Sequence, residues 1–299
     1  MANNPAIPEA PPLIVIAGPT ASGKSSMALQ MAAGLNGEII SVDSMQLYRI
    51  IPIGTAQPTM QERQLVPHHL VGIYELEQRS EVYTFVEMAE RCIADICRRG
   101  KQPILCGGTG LYLKALLYGL DPLPGDDKLK KELDTQYDSV DMLEELQQRL
   151  IQLGDAAVVN KFTNNRRRLI RALEIRLMTG RSILDLQQEY QLRLRFSLDR
   201  AVYLVHDRSV LQQRIALRTS EMLKNGWIDE ARNAIKCGLL ESPTAHQALG
   251  YKIIKRYLDG EITLDKLQEL IVTATWQYAR RQQTWFRHQH PELTALALS

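Results

Sequence analysis

Apolar residues in this chain gather into five short runs: Leu13–Ala17, Glu38–Asp43, His69–Ile73, Pro103–Cys106 and Ala201–His206. Between several of them, apolar positions recur at helical spacing. A strand with one wet face alternates apolar and polar, so near-continuous runs predict strands buried on both faces. Such strands alternating with helices predict an α/β fold, a parallel sheet flanked by helices. From about Leu120 to Arg195 the runs vanish. That stretch is polar and helical in spacing, with Gly and Pro at Pro122–Gly125 and Gly154. It predicts an all-helical insertion over residues 121–195, interrupting a core of residues 13–120 and 196–299. After the last run the chain reads as helical from about Ser209 to its end. Residues 1–12 are rich in Pro and Ala and lack a basic region followed by an apolar one. They predict a disordered tail rather than a signal peptide.

Composition narrows the class. With 45% hydrophobic and 23% charged residues, the 299-residue chain has an ordinary globular make-up. No apolar run approaches the roughly 18 residues of a membrane helix. Cys92, Cys97, Cys106 and Cys237 form no CxxC pair and read as reduced core cysteines, which suits a cytoplasmic protein. A net charge of +2 argues against binding by bulk charge. Locally the picture differs. Residues 121–149 hold nine acids and four bases, whereas 161–176 hold six bases and one acid. One basic face can thus hold a polyanion on a nearly neutral protein.

The chemistry begins at the first strand. Gly18-Pro19-Thr20-Ala21-Ser22-Gly23-Lys24-Ser25 follows it and opens a helical pattern. This is a P-loop in its required context. Its glycines let successive N–H groups turn inward, Lys24 reaches a terminal phosphate, Ser25 can hold Mg²⁺, and the helix N-terminus favours an anion. Such a loop specifies a phosphorylated ligand, not ATP. The second strand ends at Asp43-Ser44-Met45-Gln46. Strand carboxyl ends face the ligand crevice in doubly wound sheets, so Asp43 belongs near Lys24. There a carboxylate can ligate Mg²⁺ or abstract a proton; the plainer alternative is that it caps the next turn. A glycine corner, Cys106-Gly107-Gly108-Thr109-Gly110, follows the fourth strand and offers the Thr109 hydroxyl.

These runs, GPTASGKS, SVDSMQLYRIIPIGTAQPT and GGTGLYLKALL, resemble the tRNA dimethylallyltransferases, also called tRNA isopentenyltransferases. The likeness continues through NNRRRLIRALE, RIALRTSEMLKNG, QALGYK and YARRQQTWFR, from about Leu13 to Arg287. It implies a P-loop NTPase-like fold whose helical insertion grips the anticodon stem of tRNA. It also implies that dimethylallyl diphosphate, not ATP, sits on Gly18–Ser25, with Mg²⁺ at Ser25. The dimethylallyl group would pass to N6 of a flipped-out adenosine 37. By the same resemblance Asp43 is the base, Arg218 neutralises the departing diphosphate and Thr109 lies near both substrates. Ser44, Met45, Gln46, Arg166, Arg167, Arg168, Leu169, Ile170, Gln247 and Arg281 are its implied tRNA contacts. A monomer is expected. The chain departs from the family pattern at Gln57, Phe162-Thr163, Ile253 and Trp276.

Helical wheels at about 100° per residue add a reading that needs no family. Leu211, Ile215, Arg218 and Met222 share one stripe, so Arg218 lies on an apolar face and needs an anion, either a diphosphate or a buried carboxylate. Arg214 lies beside that stripe. Leu169, Ile170, Leu173 and Leu177 form an apolar side opposite Arg167, Arg168 and Arg171, which suits phosphate contact or a merely solvated face. Ala274, Tyr278, Arg281 and Trp285 share a third stripe, with Trp285 expected in the core. His68 and His69 lack partners at metal spacing. A P-loop kinase and a non-catalytic RNA-binding protein are the competing functions.

Overall fold

The computed structural model describes residues 12–120, 123–189 and 193–298; the expected tail, apart from Pro12, lies outside them, as does Pro122. The described residues cluster into two compact units, one from the chain up to Tyr118 and from Leu194 onward, the other from Gly119–Arg193.

The first unit opens with β1 (Leu13–Ala17), α1 (Lys24–Gly34), β2 (Gly37–Val42), α2 (Met60–Leu65), β3 (His68–His69), α3 (Val82–Arg98), β4 (Gln102–Gly107) and α4 (Gly110–Tyr118). The second contains α5 (Asp127–Gln136), α6 (Leu143–Gln152), α7 (Ala156–Phe162), α8 (Arg166–Thr179) and α9 (Ile183–Glu189). The chain then returns to the first with β5 (Leu198–Val205), α10 (Arg208–Lys224), α11 (Trp227–Lys236), α12 (Tyr251–Leu258), α13 (Leu264–Gln289) and β6 (Thr294–Ala297).

The six strands form one sheet in the order β3-β2-β4-β1-β5-β6, every neighbouring pair parallel. All residues of β1 and β2 are buried, as apolar runs without alternation require. The register sets Gly107 beside both Ala17 and Val42. The carboxyl ends of β1, β2 and β4 therefore finish on one line, and the loops that follow them share one crevice.

Two expectations need correction. The run His69–Ile73 is not a strand: only His68–His69 pairs with β2, because Leu70 and Gly72 take left-handed φ of 59° and 63° and turn the chain. The chain also does not end in helices. β6 pairs with β5, and its four residues are exposed, so no buried apolar run announces it.

β2 carries one buried carboxylate. Glu38, 1% exposed, is bound by the guanidinium of Arg99, by Lys101 at 2.8 Å and by His69 at 2.7 Å. Where the chain re-enters the first unit, the Arg195 N–H donates to the Leu117 carbonyl at 2.8 Å. The Arg195 guanidinium donates to Leu116 O at 3.4 Å and pairs with Glu90 at 2.6 Å.

The second unit has its own core, built on Leu133, Leu146, Leu150, Val158, Leu169, Leu173 and Ile175 among others. Among the described residues, no helix is long and apolar enough to cross a membrane.

Candidate active site

The P-loop closes on itself between β1 and α1. Gly23 caps α1 in the left-handed region at φ 90°, a conformation that strains any residue with a Cβ. Ser22 N–H donates to Pro19 O at 3.3 Å, and Lys24 Nζ donates to the same carbonyl at 3.2 Å. Burial pushes the Lys24 ammonium below its ordinary value, with Arg218 adding to the effect and Cys106 and Asp43 opposing it. A bound anion would act in the opposite direction and favour the charged form.

Residues far off in sequence hold the loop. Arg214 Nε donates to Ala21 O at 2.8 Å, and His206 Nε2 lies 2.8 Å from Ser22 O. Gln282 Oε1 accepts from Thr20 N at 2.9 Å, while its Nε2 donates to Gly108 O at 2.9 Å. Arg218 Nη1 donates to Thr20 Oγ1 at 3.2 Å. Burial lowers the pKa of Arg218, and the charge of Asp43 opposes that. No described carboxylate lies within ion-pair distance of Arg218. Of the two anions its apolar stripe allowed, a carboxylate in direct ion-pair contact is not found among the described residues, and Asp43 acts on it only through its nearby charge.

Asp43 follows β2. Its Oδ1 accepts from the N–H groups of Met45 at 2.9 Å and Gln46 at 3.4 Å, so it does cap the next turn. Thr109 spans the corner after β4: its N–H donates to Val42 O at 3.1 Å, and its Oγ1 accepts from Ser44 N at 3.2 Å. Tyr278 reaches Thr109 and Gln282; burial and the nearby Asp43 charge push its phenol well above the usual value.

These groups line a cleft with two lobes, of about 460 Å³ and 390 Å³. The first takes Gly23, Cys106, Gly107, Arg214 and Leu217; the second takes Thr20, Ser44, Met45, Gln247, Tyr278 and Arg281. Lys24, Ser25, Asp43, Gln46 and Arg218 line both. A cation pair, a carboxylate and a helix N-terminus thus meet where the lobes join. Such a junction can hold a diphosphate while leaving a carboxylate for an acceptor.

The other expected residues divide. The Gln46 carboxamide is already engaged, accepting from Ser41 Oγ and donating to Thr55 O and Ala56 O. Gln57, one of the departures, donates to Gln46 O and Tyr48 O and braces the same loop. Trp276 packs on the seam formed by Ala21, Leu211, Ile215 and Ala279, and Arg208 stacks on its ring. Trp285 packs against Gly110 and is half-buried.

In the second unit, Asn165 caps α8 by accepting from Arg168 N at 3.2 Å. Leu169 and Ile170 are buried in that unit's core, so their side chains do not face a surface partner. Arg166 donates to Tyr137 O, Arg168 lies over Phe162, and Arg171 pairs with buried Glu174 at 2.7 Å. Arg171 is thus not on a merely solvated face.

Sequence reasoning passed over Gln282, His206 and Glu230. The Glu230 carboxylate accepts from Ile53 N, Gly54 N and Tyr251 Oη, and so pins the loop that lines the second lobe. No local pattern marks a polar side chain whose partner lies more than a hundred residues away.

The chain matches the IPP transferase family over residues 46–289 and the isopentenyl transferase family over residues 11–72. It is 40% identical over 276 residues to a tRNA dimethylallyltransferase of Geobacter metallireducens, covering 92% of this chain and 89% of that one. It is 42% identical over 275 residues to tRNA dimethylallyltransferase 1 of Citrifermentans bemidjiense, covering 92% and 88%. Its fold is similar to the full-length tRNA isopentenylpyrophosphate transferase of Bacillus halodurans, with TM-score 0.68, 36% identity and coverage of 96% and 89%. It is also similar to a eukaryotic dimethylallyltransferase acting on tRNA, with TM-score 0.78, 28% identity and coverage of 96% and 74%. With its parallel sheet, P-loop and two-lobed cleft, this chain belongs to the family of tRNA dimethylallyltransferases.

Proposed function

We propose that this tRNA-prenylating enzyme moves the dimethylallyl group of dimethylallyl diphosphate to N6 of adenosine 37, releasing diphosphate. The observation that carries the reading is the junction of the lobes, where Asp43, Lys24 and Arg218 line both. The first lobe, on the P-loop side, takes the donor. The second, bounded by Ser44, Met45, Gln247 and Arg281, takes the adenine, which must leave its stack to reach it.

The steps follow from the groups present. Lys24, the P-loop N–H groups and Arg218 stabilise the negative charge that grows on the leaving oxygen as the C–O bond breaks. The adenine N6 forms the new C–N bond and yields a proton to Asp43, whose Oδ1 is kept in place by the turn it caps. Thr109, fixed by Ser44 and Val42, ties the corner after β4 to the Asp43 loop. Among the described residues no cluster of metal-ligating side chains could cage an ion. That suits Mg²⁺, which needs one or two protein oxygens beside substrate phosphates and keeps several waters. Ser25, at the first turn of α1 and on both lobes, would hold it with diphosphate oxygens. When bound, it supplies charge neutralisation on the diphosphate.

The helical unit grips the anticodon stem through the basic face of α8, with Arg167 and Arg168 on phosphates and Leu169 and Ile170 seating the helix in its core. The enzyme works as a cytoplasmic monomer. The test is incubation with Mg²⁺, dimethylallyl diphosphate and an unmodified anticodon stem-loop, followed by mass analysis of the nucleosides. One isoprene unit gained on a single adenosine is expected. No gain, with ATP consumed instead, would return the cleft to the kinase reading.

A further inference from the structure

One buried carboxamide joins two neighbouring loops, the one after β1 and the one after β4. Gln282, on α13, is 6% exposed. Its Oε1 accepts from Thr20 N at 2.9 Å, and its Nε2 donates to Gly108 O at 2.9 Å. The partners fix the amide's orientation, since an N–H needs the oxygen and a carbonyl needs the NH₂. Both loops are tied further. Thr20 also accepts from Arg218, and the corner at Gly108 carries Thr109, which accepts from Ser44 N beside Asp43. Gly108 fits the contact closely: a Cβ there would lie 2.3 Å from Gln282 Nε2. The Thr20 N–H, which a P-loop could otherwise point at a phosphate, is thus taken up by the protein itself.

We infer that Gln282 is a positioning residue that sets the spacing between the diphosphate cradle after β1 and the acceptor corner after β4. It rests on the reading of this cleft as a prenyl-transfer site; although Gln282 also borders the second lobe, both polar atoms of its carboxamide are spent on the two loops. In-line transfer is steep in distance, and a misplacement of about 1 Å can cost about a hundredfold in rate. Loss of the carboxamide should therefore act on turnover and on the donor, and spare the RNA.

The test uses the full chain with dimethylallyl diphosphate, Mg²⁺ and the stem-loop. Gln282→Met keeps length and removes both loop hydrogen bonds, together with the contact to Tyr278; kcat is expected to fall by about a hundredfold with the RNA KM within about twofold of wild type. Gln282→Glu keeps the acceptor for Thr20, loses the donor to Gly108 and adds a negative charge near the cradle. Its donor KM is expected to rise by about tenfold, again with little change for RNA. A merely structural role would move both KM values together. A Gln282→Met enzyme within about threefold of wild-type kcat, or equal rises in both KM values, would overturn the inference. Should the variants not fold, the wild type still decides. The Thr20 amide should exchange slowly with solvent in the free enzyme, with no further protection on adding inorganic pyrophosphate. Fast exchange that slows only with pyrophosphate would show that the ligand, not Gln282, holds that N–H. An inactive wild type would fail the prenyl-transfer reading instead, whatever the variants do.

Discussion

Asp43 caps a turn and is the proposed base, and two substitutions separate the two roles. Oδ1 accepts from the Met45 and Gln46 N–H groups. Asn at this position keeps a carbonyl oxygen for those donors but takes up no proton at neutral pH. Asp43→Asn therefore removes the base alone, and general-base loss lowers turnover by about 10²–10⁴-fold. Asp43→Ala removes the cap as well. Stranding those donors at the edge of a solvated cleft costs about 1 kcal/mol, roughly fivefold in affinity for a ligand that needs the turn intact. The RNA KM should thus rise by about fivefold in Asp43→Ala and stay at the wild-type value in Asp43→Asn. Donor binding should move the other way. The charge of Asp43 raises the pKa of both Lys24 and Arg218, so it competes with a diphosphate for the same cations. Either substitution should leave the diphosphate bound as tightly as before or tighter. The assay is single-turnover prenylation of a stem-loop at saturating donor, with inorganic pyrophosphate binding measured calorimetrically alongside. An Asp43→Asn enzyme that keeps more than about a tenth of wild-type turnover would refute the base. Weaker pyrophosphate binding in that enzyme would refute the electrostatic reasoning.

Arg218→Lys keeps the charge but loses the planar fork that reaches Thr20; kcat should fall by about tenfold or more with RNA binding intact, read from steady-state kinetics in both substrates. Ser25→Ala should raise the Mg²⁺ concentration for half-maximal activity by roughly tenfold, and EDTA should stop the wild type, with activity restored on adding Mg²⁺ back. The Arg99 guanidinium holds the Glu38 carboxyl far below the usual carboxylate range, with Lys101 and His69 helping and burial opposing. A carboxyl with a depressed folded-state pKa stabilises fully above its unfolded value of about 4.3 and loses that contribution as the pH falls further. Thermal melts should therefore show wild-type stability dropping in acid more steeply than Glu38→Gln. At neutral pH the Gln variant should melt about 4 °C lower, for a loss of about 2 kcal/mol from a pair whose cations are partly solvated.

The features legible in the sequence were those encoded by neighbours. The buried run Leu13–Ala17 leads directly into the P-loop, and Asp43 follows the next strand at once, so strand, loop and helix could be read together. The stripe carrying Arg218 was legible because a helix repeats its own period. What escaped was encoded across distance or by context. Gln282 meets Thr20 from 262 positions away, and Glu230 meets Ile53 from 177. The run His69–Ile73 has strand composition, yet the left-handed φ at Leu70 and Gly72 ends pairing after two residues. β6 is an exposed edge strand whose only apolar signal is Leu296 between two alanines. Propensity describes a strand's side chains, whereas an edge strand needs only a partner's free backbone.

The stitch between Arg195 and Leu117 has a consequence for how this chain is made and how it can change. β1 leaves the ribosome early, yet its partner β5 follows only after the whole of Gly119–Arg193. Closing so long a loop carries an entropic cost that grows only logarithmically, about 0.6 kcal/mol per doubling of length. Arg195 offsets it at the point of return, gripping two carbonyls of α4 and Glu90 of α3 before the first residue of β5. The sheet can therefore close without reference to what hangs between its halves. An insertion of another length could therefore be closed at the same seam, between Leu117 and Arg195.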